Sequence, residues 1–393
     1  MAIILGINTG EVSWSELKGC LASFYNDQLP HQLVTPNPEI ILKAQKDEEL
    51  FYILNRADLS LADGFGLKIA AKISGQKLYR CTGADLLPYL LEEAGGKRRV
   101  SIINRHDGLS SNQDLQNYLQ TNYPRLEYQI LDSAKKTSPS EEDIAKIQTF
   151  NPNLAICLFG APEQEKYLFQ LQKKLVQISL SVGLGGAFDF LTGKLQRAPQ
   201  LWRNLGLEWL WRFIQQPWRW QRIWQATVVF SRKVLYWRFI MPHLYRPNVA
   251  VLMYKSGKTG REIFIVERQD RESHWQLPQG GLDGEDIAAA GSKELREESG
   301  AQNFKIIKAY KNLYRYQFNK ETGKYLLQRH FGYRGQKQSL LIVEFQGEDA
   351  ELKINYWDHR AWRWVKEEDL ITQVHPCRQA AAKIYLEKLK ATV

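Results

Sequence analysis

LAICLFGAP at residues 154–162 and LSVGLGGAFDFL at 180–191 are short apolar runs that end in glycine-bearing turns, with a helical pattern between them. Runs of this length bounded by Gly and Pro suit fully buried strands, and strands that alternate with helices imply a mostly parallel sheet. Outward from these two, the same alternation holds. AIILGIN precedes a helical pattern around Trp14 to Tyr25, VTPNPE a helix through Leu50 to Asn55, and LSLADGFGL leads into Lys68 to Ile73, with VSIIN and ILDSA as further runs. In such sheets ligands bind outside the carboxyl ends of the strands. The polar clusters there are Thr35-Pro-Asn37, Ala62-Asp63-Gly64, Gly160-Ala-Pro-Glu-Gln164 and Gly183-Leu-Gly-Gly186. Glycines let a backbone approach a phosphate. Singly, each cluster reads equally well as a turn.

With 393 residues, the chain is long enough for two or three domains, each with its own core. Its four cysteines, Cys20, Cys81, Cys157 and Cys377, lie far apart without metal-like spacing, which fits a reducing compartment better than a disulfide scaffold. The N-terminal MAIILGINTGEV lacks a basic n-region and reads as a first strand, not a signal peptide. No apolar run approaches the ~20 residues of a membrane span.

Charge is unevenly placed. Of 53 Lys and Arg residues, ten fall between Lys194 and Arg246 beside a single acid, Glu208, so nearly all of the +10 net charge lies there. Seven of the twelve Trp residues share the stretch: Trp202, Trp209, Trp211, Trp218, Trp220, Trp224 and Trp237. Arg interleaved with Trp suits a water-to-headgroup interface. A helical hairpin packing its aromatics inward, and a nucleic-acid stripe, are the competing readings. Pro199 and Pro217 break the stretch into short helices.

In order, TPNPE, LADGFG, Arg80-Cys-Thr-Gly83-Ala-Asp85, APEQE, GLGGAFDFLTGKLQRAP and LGLEWLWR resemble the WecG/TagA/CpsF family of bacterial glycosyltransferases over residues 1 to about 225. The resemblance implies a peripheral membrane enzyme that moves an N-acetylmannosamine-type sugar from a UDP donor to an undecaprenyl-diphosphate-linked acceptor, in cell-surface polysaccharide synthesis. It implies Asp63 as catalytic base, a role a strand-end carboxylate suits chemically. Thr35, Asn37, Arg80, Asp85, Gln164, Gly185, Gly186 and Asp189 match positions of the substrate pocket, and Arg212, Arg219 and Arg222 would meet the lipid diphosphate. Arginine suits that task because its planar fork holds two phosphate oxygens at once. No Asp-x-Asp pair is present, so no metal is expected at this site, and cationic and backbone groups would stabilise the leaving charge. One departure is Asn-Arg-His-Asp-Gly at 104–108, where the family usually has a Gly-rich turn.

Past residue 246, NVAVLMY, a turn at Ser256 to Thr259 and EIFIVER read as an antiparallel pair. Then Gly280-Gly281-Leu-Asp-Gly-Glu285 is followed, seven residues on, by Lys293-Glu294-Leu295-Arg296-Glu297-Glu298-Ser299-Gly300. On a helix, Glu294, Glu297 and Glu298 stand at i, i+3 and i+4, a self-repelling face unless hard divalent cations such as Mg2+ or Mn2+ occupy it. This resembles the Nudix box, with Lys293 for the usual arginine and one residue fewer between Gly280 and Glu285. Tyr245-Arg-Pro-Asn-Val, His274-Trp-Gln-Leu-Pro-Gln-Gly-Gly, Arg315-Tyr316, Gly335-Gln-Lys-Gln338 and Trp362-Arg-Trp364 resemble the RNA pyrophosphohydrolase and diadenosine polyphosphate hydrolase branch. That resemblance implies Gly280, Glu294, Glu297, Glu298 and Asp358 around the metal, with Glu297 and Glu298 catalytic. It also implies Arg246, Arg268 and Lys337 on the phosphate chain of a dinucleotide or RNA 5′ end, and Tyr316 stacked on a base.

The expected fold is therefore α/β throughout. Residues 1–195 form a Rossmann-like transferase domain with a mostly parallel sheet, 196–245 a basic aromatic helical appendage and linker, and 246–393 an α/β/α Nudix fold with a mixed sheet. The expected protein is a bifunctional enzyme on the cytoplasmic face of the membrane. A transferase with a regulatory nucleotide-binding Nudix domain, and a tethered hydrolase with an inactive transferase domain, stay open, as does the oligomeric state.

Overall fold

The computed structural model describes all residues except 1, 11, 28, 258–259 and 319–331. The chain divides into two units, Met1–Arg238 and Phe239–Val393.

In the first unit, β3 (His31–Val34), β4 (Leu59–Ser60), β5 (Arg99–Arg105), β6 (Glu127–Ser133), β7 (Leu154–Cys157) and β8 (Leu180–Gly183) form one sheet in the order β4-β3-β8-β7-β5-β6, every pair parallel. The first four residues of each quoted run form a central strand with every residue buried, as a sheet covered on two faces requires. Alternation along β5 sends Val100 and Ile102 toward the helix Gly83–Ala94, through Leu86, Leu87, Leu90 and Leu91. Ile103 points to the other face, where Tyr167, Leu168 and Leu171 pack. AIILGIN departs from expectation. It makes two short strands, β1 (Ala2–Ile4) and β2 (Ile7–Thr9), paired antiparallel outside the main sheet. Leu5 and Gly6 both take positive φ, 49° and 79°, which turns the chain back on itself after three residues.

The basic stretch is helical: Gln200–Asn204, Glu208–Gln215, then short turns from Pro217 that run through a π segment, Gln225–Val229, into Phe230–Phe239. Of its seven tryptophans, Trp237 is buried, whereas Trp209, Trp218, Trp220 and Trp224 are exposed. Inward packing of aromatics therefore does not account for the stretch. No helix among the described residues is long and apolar enough to cross a membrane.

The second unit is built on a mixed sheet of β9 (Tyr245–Gly257), β10 (Gly260–Arg268), β11 (Trp275–Gln276), β12 (Gln279–Gly281), β13 (Phe304–Gln317), β14 (Gly335–Phe345) and β15 (His359–Lys366). The order is β11-β10-β9-β14-β13, with β12 on β9 and β15 on β10, and β9–β14 is its parallel pair. β9 and β10 pair antiparallel as expected; in the turn between them, Lys258 and Thr259 lie outside the described residues. Alternation along β9 sends Val249, Val251 and Met253 to the face that carries Leu295 of the helix Ile287–Ser299. Ala250, Leu252 and Tyr254 meet the helix Pro376–Lys390 on the other. Asp286 caps the first helix, and Gly300, at φ 72°, ends it.

Gly291 in that helix sets the distance to the sheet: a Cβ there would lie 2.6 Å from Leu341 Cδ2 and 3.2 Å from Val249 Cγ2. Gly291→Ala should gain roughly 1 kcal/mol of helix propensity but lose more, on the order of 1–3 kcal/mol, to overpacking. A lower melting temperature is expected. An unchanged or higher one would mean that the helix can lift off the sheet freely.

Candidate functional site

At the carboxyl end of the parallel sheet, three strand ends are stitched together by short hydrogen bonds. Thr35 Oγ1, just past β3, donates to Gly183 O of β8 at 3.2 Å. Asn37 caps the helix Pro38–Ala44, its side chain accepting from Ile40 N–H. Past β4, Asp63 N–H donates to Pro36 O at 2.8 Å, and Gly64 turns at φ 118°. Ala62 bridges in parallel to Arg80, which brings Asp63 to the start of the helix Gly83–Ala94, where the Gly83 N–H favours its ionised form.

Burial pushes Asp63 up to about 6; Arg80 pulls it down, Glu208 raises it, and Arg212 and the Gly83 N–H pull it down again. Half-buried and walled by protein, it is poised close to neutrality. Arg80 is itself paired with Glu208 in a very short ion pair, and its Nη1 reaches Arg203 O at 3.4 Å. The lone acid of the basic stretch is thus an anchor.

Two more ion pairs dock that stretch over the strand ends. Arg197 Nη2 donates to Asp85 Oδ1 at 2.6 Å, and Arg222 Nη2 to Glu39 Oε2 at 2.7 Å. Gly206, at φ 74°, lies against the Phe65 ring, where a Cβ would meet ring carbon at 2.3 Å. Arg212 lies over Phe190 at 4.8 Å from the ring centroid. Burial, then Arg222 and Arg212, push Arg219 down to about 10, the mark of cations crowded together. The Nε atoms of Arg80, Arg197, Arg203 and Arg212 are buried without a hydrogen-bond partner among the described residues.

Several expected substrate contacts are hydrogen-bonded within the unit. Gln164 Oε1 accepts from Gly160 N–H at 2.9 Å and Gly185 N–H at 3.0 Å, and its Nε2 donates to Glu165 Oε1 at 2.7 Å. Its amide therefore clasps two glycine turns together, and Gly183 has no room for a side chain, since a Cβ would fall 2.5 Å from Gln164 Nε2. Burial raises Glu165, which fixes that amide, to about 7. Asp85 is held by Thr82 Oγ1 at 2.6 Å and by Arg197. Asp189 accepts from Ser110 Oγ at 2.7 Å and sits under Gly186, whose Cβ would lie 2.7 Å from its Oδ2. The altered segment at 104–108 is tied down as well, with Asn104 Nδ2 donating to Ser110 O and Asn112 Oδ1.

In the second unit, the helix Ile287–Ser299 turns Glu294 and Glu298 inward, whereas Glu297 is exposed. Glu298 Oε2 accepts from Gln279 N–H at 3.0 Å, with His359 Nε2 3.3 Å away. A Cβ at Gly280 would lie 1.7 Å from the Glu294 carboxyl carbon, so only glycine fits beside that carboxylate. Asn355 Nδ2 donates to Glu297 O and to Asp358 Oδ2, which brings buried Asp358 to the end of the acidic helix. Among the described residues, the one trio of metal-capable groups within 4.8 Å of each other is His274, His375 and Cys377.

Arg246 lies on the glycine pair: a Cβ at Gly281 would be 2.6 Å from its Nη2. Arg268 is forked onto Asp270, both bonds 2.7 Å, and Lys337 is exposed on β14 opposite Arg315 of β13. Tyr316, expected to stack on a base, is half-buried on β13. Its hydroxyl donates to Gln336 Oε1 and accepts from Arg378, and its ring lies between Tyr314 and Arg378, which commits it to the unit's own packing. Glu208, Arg197 and His274 are not singled out as site residues by the sequence; each is recognised by a partner far along the chain.

Residues 2–243 match the family model described as "Glycosyl transferase WecG/TagA/CpsF family", and residues 244–387 match "NUDIX domain". A relative from Bacillus subtilis (strain 168), named N-acetylglucosaminyldiphosphoundecaprenol N-acetyl-beta-D-mannosaminyltransferase, is 30% identical over 193 residues, 48% of this chain and 73% of that protein. An RNA pyrophosphohydrolase from Wolbachia pipientis subsp. Culex pipiens (strain wPip) is 33% identical over 153 residues, 38% of this chain and 91% of that protein. Among solved structures, a C. elegans Ap4A hydrolase binary complex aligns over 37% of this chain and 98% of its own, at 16% identity and a TM-score of 0.29, too low to carry an argument.

The raised Asp63 has a consequence for stability. With its pKa moved from 3.8 to about 6, the folded protein holds that proton more tightly than the unfolded chain. Stability from this group is therefore complete below about pH 4 and is lost as pH rises through 6. Asp63→Asn should raise unfolding free energy at pH 7.5 by about 2 kcal/mol, a gain that fades to nothing below pH 4. Denaturant melts at the two pH values test it, and no gain at pH 7.5 would place Asp63 in water.

Proposed function

From a chain that belongs to the WecG/TagA/CpsF glycosyltransferase family and carries a Nudix hydrolase domain, we propose two linked chemistries. The first is inverting transfer of a sugar of the N-acetylmannosamine class from a UDP donor to an undecaprenyl-diphosphate-linked acceptor. The second is hydrolysis of a nucleoside-diphosphate-linked compound, a dinucleoside polyphosphate or an RNA 5′ end. In this reading residues 1–195 are the transferase core, 196–245 its appendage and 246–393 the hydrolase.

The observation that carries the transferase reading is Asp63: a strand-end carboxylate pushed to about 6 and ringed by arginines. Above that pKa it is ionised and accepts the acceptor hydroxyl's proton as the oxygen attacks the anomeric carbon. The leaving UDP and the lipid diphosphate are both anionic. Arg212, Arg219 and Arg222, with the unpartnered Nε of Arg80, Arg203 and Arg212, supply the opposing charge without a metal. Thr35, Asn37, Gln164 and Gly185 shape the pocket, Gln164 by clasping its two glycine turns. Exposed Trp209, Trp218, Trp220 and Trp224 beside these arginines suit the headgroup layer of the cytoplasmic leaflet.

For the hydrolase, the donor set fits a hard divalent cation. Glu294 and Glu298 are buried carboxylates, and Gly280 leaves Glu294 the space that any side chain would take. Glu294, Glu297, Glu298, Asp358 and Gly280 would hold Mg2+ or Mn2+, which when bound activates water and neutralises charge developing on phosphate. Asn355 steadies Asp358, and the Gln279 N–H steadies Glu298. Arg246, Arg268 and Lys337 offer cations to the phosphate chain.

Paired variants of the full chain test both halves. Asp63→Asn should abolish sugar transfer and leave hydrolysis intact, while Glu298→Gln should cut hydrolysis by orders of magnitude and leave transfer intact. Wild-type transfer should rise through an apparent pKa near 6. Transfer that survives Asp63→Asn moves the base elsewhere, and hydrolysis that survives Glu298→Gln reduces the acidic face to a solvated surface.

Binding to anionic liposomes should be salt-sensitive, since each interfacial Lys or Arg contributes about 1 kcal/mol near such a surface. Vesicle sedimentation at low and high salt measures this. Equal binding to neutral vesicles would mean that the tryptophans dominate.

A further inference from the structure

The acidic helix is not where the second unit gathers its softest donors. His274 directly precedes β11, and His375 caps the helix Pro376–Lys390 on the opposite face of the sheet from the acidic helix. The backbone fixes both: Arg268 N–H donates to His274 O at 3.1 Å, and His375 N–H to Trp275 O at 2.9 Å. The two imidazole rings lie 4.0 Å apart at 15°. Cys377 Sγ is 3.1 Å from His375 Nδ1, and one donor atom from each of His274, His375 and Cys377 lies within 4.8 Å of the other two.

His274 is the independent clue. It is 1% exposed, and neither ring nitrogen has a hydrogen-bond partner among the described residues. Two buried, unsatisfied nitrogens are costly unless something binds them. Burial first, then Arg268, His375, Arg378 and Arg271, hold its pKa down at about 2, so the ring is neutral at every physiological pH, the form in which imidazole ligates a metal. Of the neighbouring cations Arg268, Arg271 and Arg378, Arg268 is neutralised by Asp270 and Arg378 is hydrogen-bonded to Tyr316. Cys377 is exposed, which gives an ion a way in.

We propose that His274, His375 and Cys377 form a second metal site, for a borderline-to-soft ion of the zinc class. Two imidazoles and a thiolate disfavour magnesium and suit Zn2+, with the thiol proton released to solvent on binding. The rings run nearly parallel, so closure on one ion takes rotation of the half-exposed His375 ring. Such an ion would clamp the start of β11 to the C-terminal helix. β11 leads within three residues to Gln279, whose N–H holds Glu298, so the clamp would bear on the hydrolase site without joining it.

Titration of the full-length protein with Co2+ reads the site directly, because a thiolate ligand produces a near-ultraviolet charge-transfer band that carboxylates cannot. One equivalent of band is expected in wild type. It should be lost in Cys377→Ser and weakened in His375→Asn, which keeps a helix-capping side chain. Zn2+ should displace the band and protect Cys377 from thiol reagents. Absence of the band in wild type overturns the proposal. So does a band that persists in Cys377→Ser, which would assign it to Cys20, Cys81 or Cys157.

Discussion

Everything distinctive about the first unit depends on the basic appendage being held down over the carboxyl ends of the sheet. Three arginine–carboxylate pairs do this: Arg80–Glu208, Arg197–Asp85 and Arg222–Glu39. An exposed pair such as Arg222–Glu39 contributes little by itself. The Arg80–Glu208 pair is mostly shielded from water, and the contact of Gly206 with Phe65 adds close packing. Desolvation of Asp63 follows from this coverage. Without it, Asp63 would be an ordinary hydrated carboxylate, ionised through the whole neutral range and poorly matched to proton transfer near pH 7.

The same cover gathers Arg212, Arg219 and Arg222 together, with Glu39 paired to Arg222. Burial, and then its arginine neighbours, push Arg219 down, and several guanidinium Nε atoms are buried with hydrogen-bonding capacity to spare. Crowded cations and unsatisfied donors cost folding energy, and an anionic ligand relieves both at once. The exposed tryptophans complete the logic, since a surface that offers cations and rings together matches phosphate above and hydrocarbon below.

In the second unit the constraint is steric before it is electrostatic. Gly280 and Gly281 admit the Glu294 carboxylate and the Arg246 guanidinium into space that any side chain would fill, and Gly291 lets the acidic helix approach the sheet. Glu298 is then held by the Gln279 N–H of β12, with His359 Nε2 of β15 3.3 Å away, so its position depends on both strands. Whatever moves β11 or β12 therefore reaches that carboxylate directly.

Periodicity and local spacing were enough to read the fold class. Wholly buried four-residue runs, the i, i+3, i+4 placement of Glu294, Glu297 and Glu298, and the helix stop at Gly300 are all set within a few residues of chain. The antiparallel turn at Leu5-Gly6 escaped that reading because AIILGIN has the composition of one strand, and only the positive φ pair divides it. Roles that rest on distant partners were illegible. Glu208 meets an arginine 128 residues away, Gln164 serves two glycine turns instead of pointing at ligand, and His274 finds His375 across the second unit. By itself, then, the sequence determined which elements form and which side chains share a face, because those follow from backbone periods of two and 3.6 residues. Only the tertiary structure decided which charges are paired, which are stranded and which carboxylate is shielded from water, because exclusion of water is a property of the packed whole.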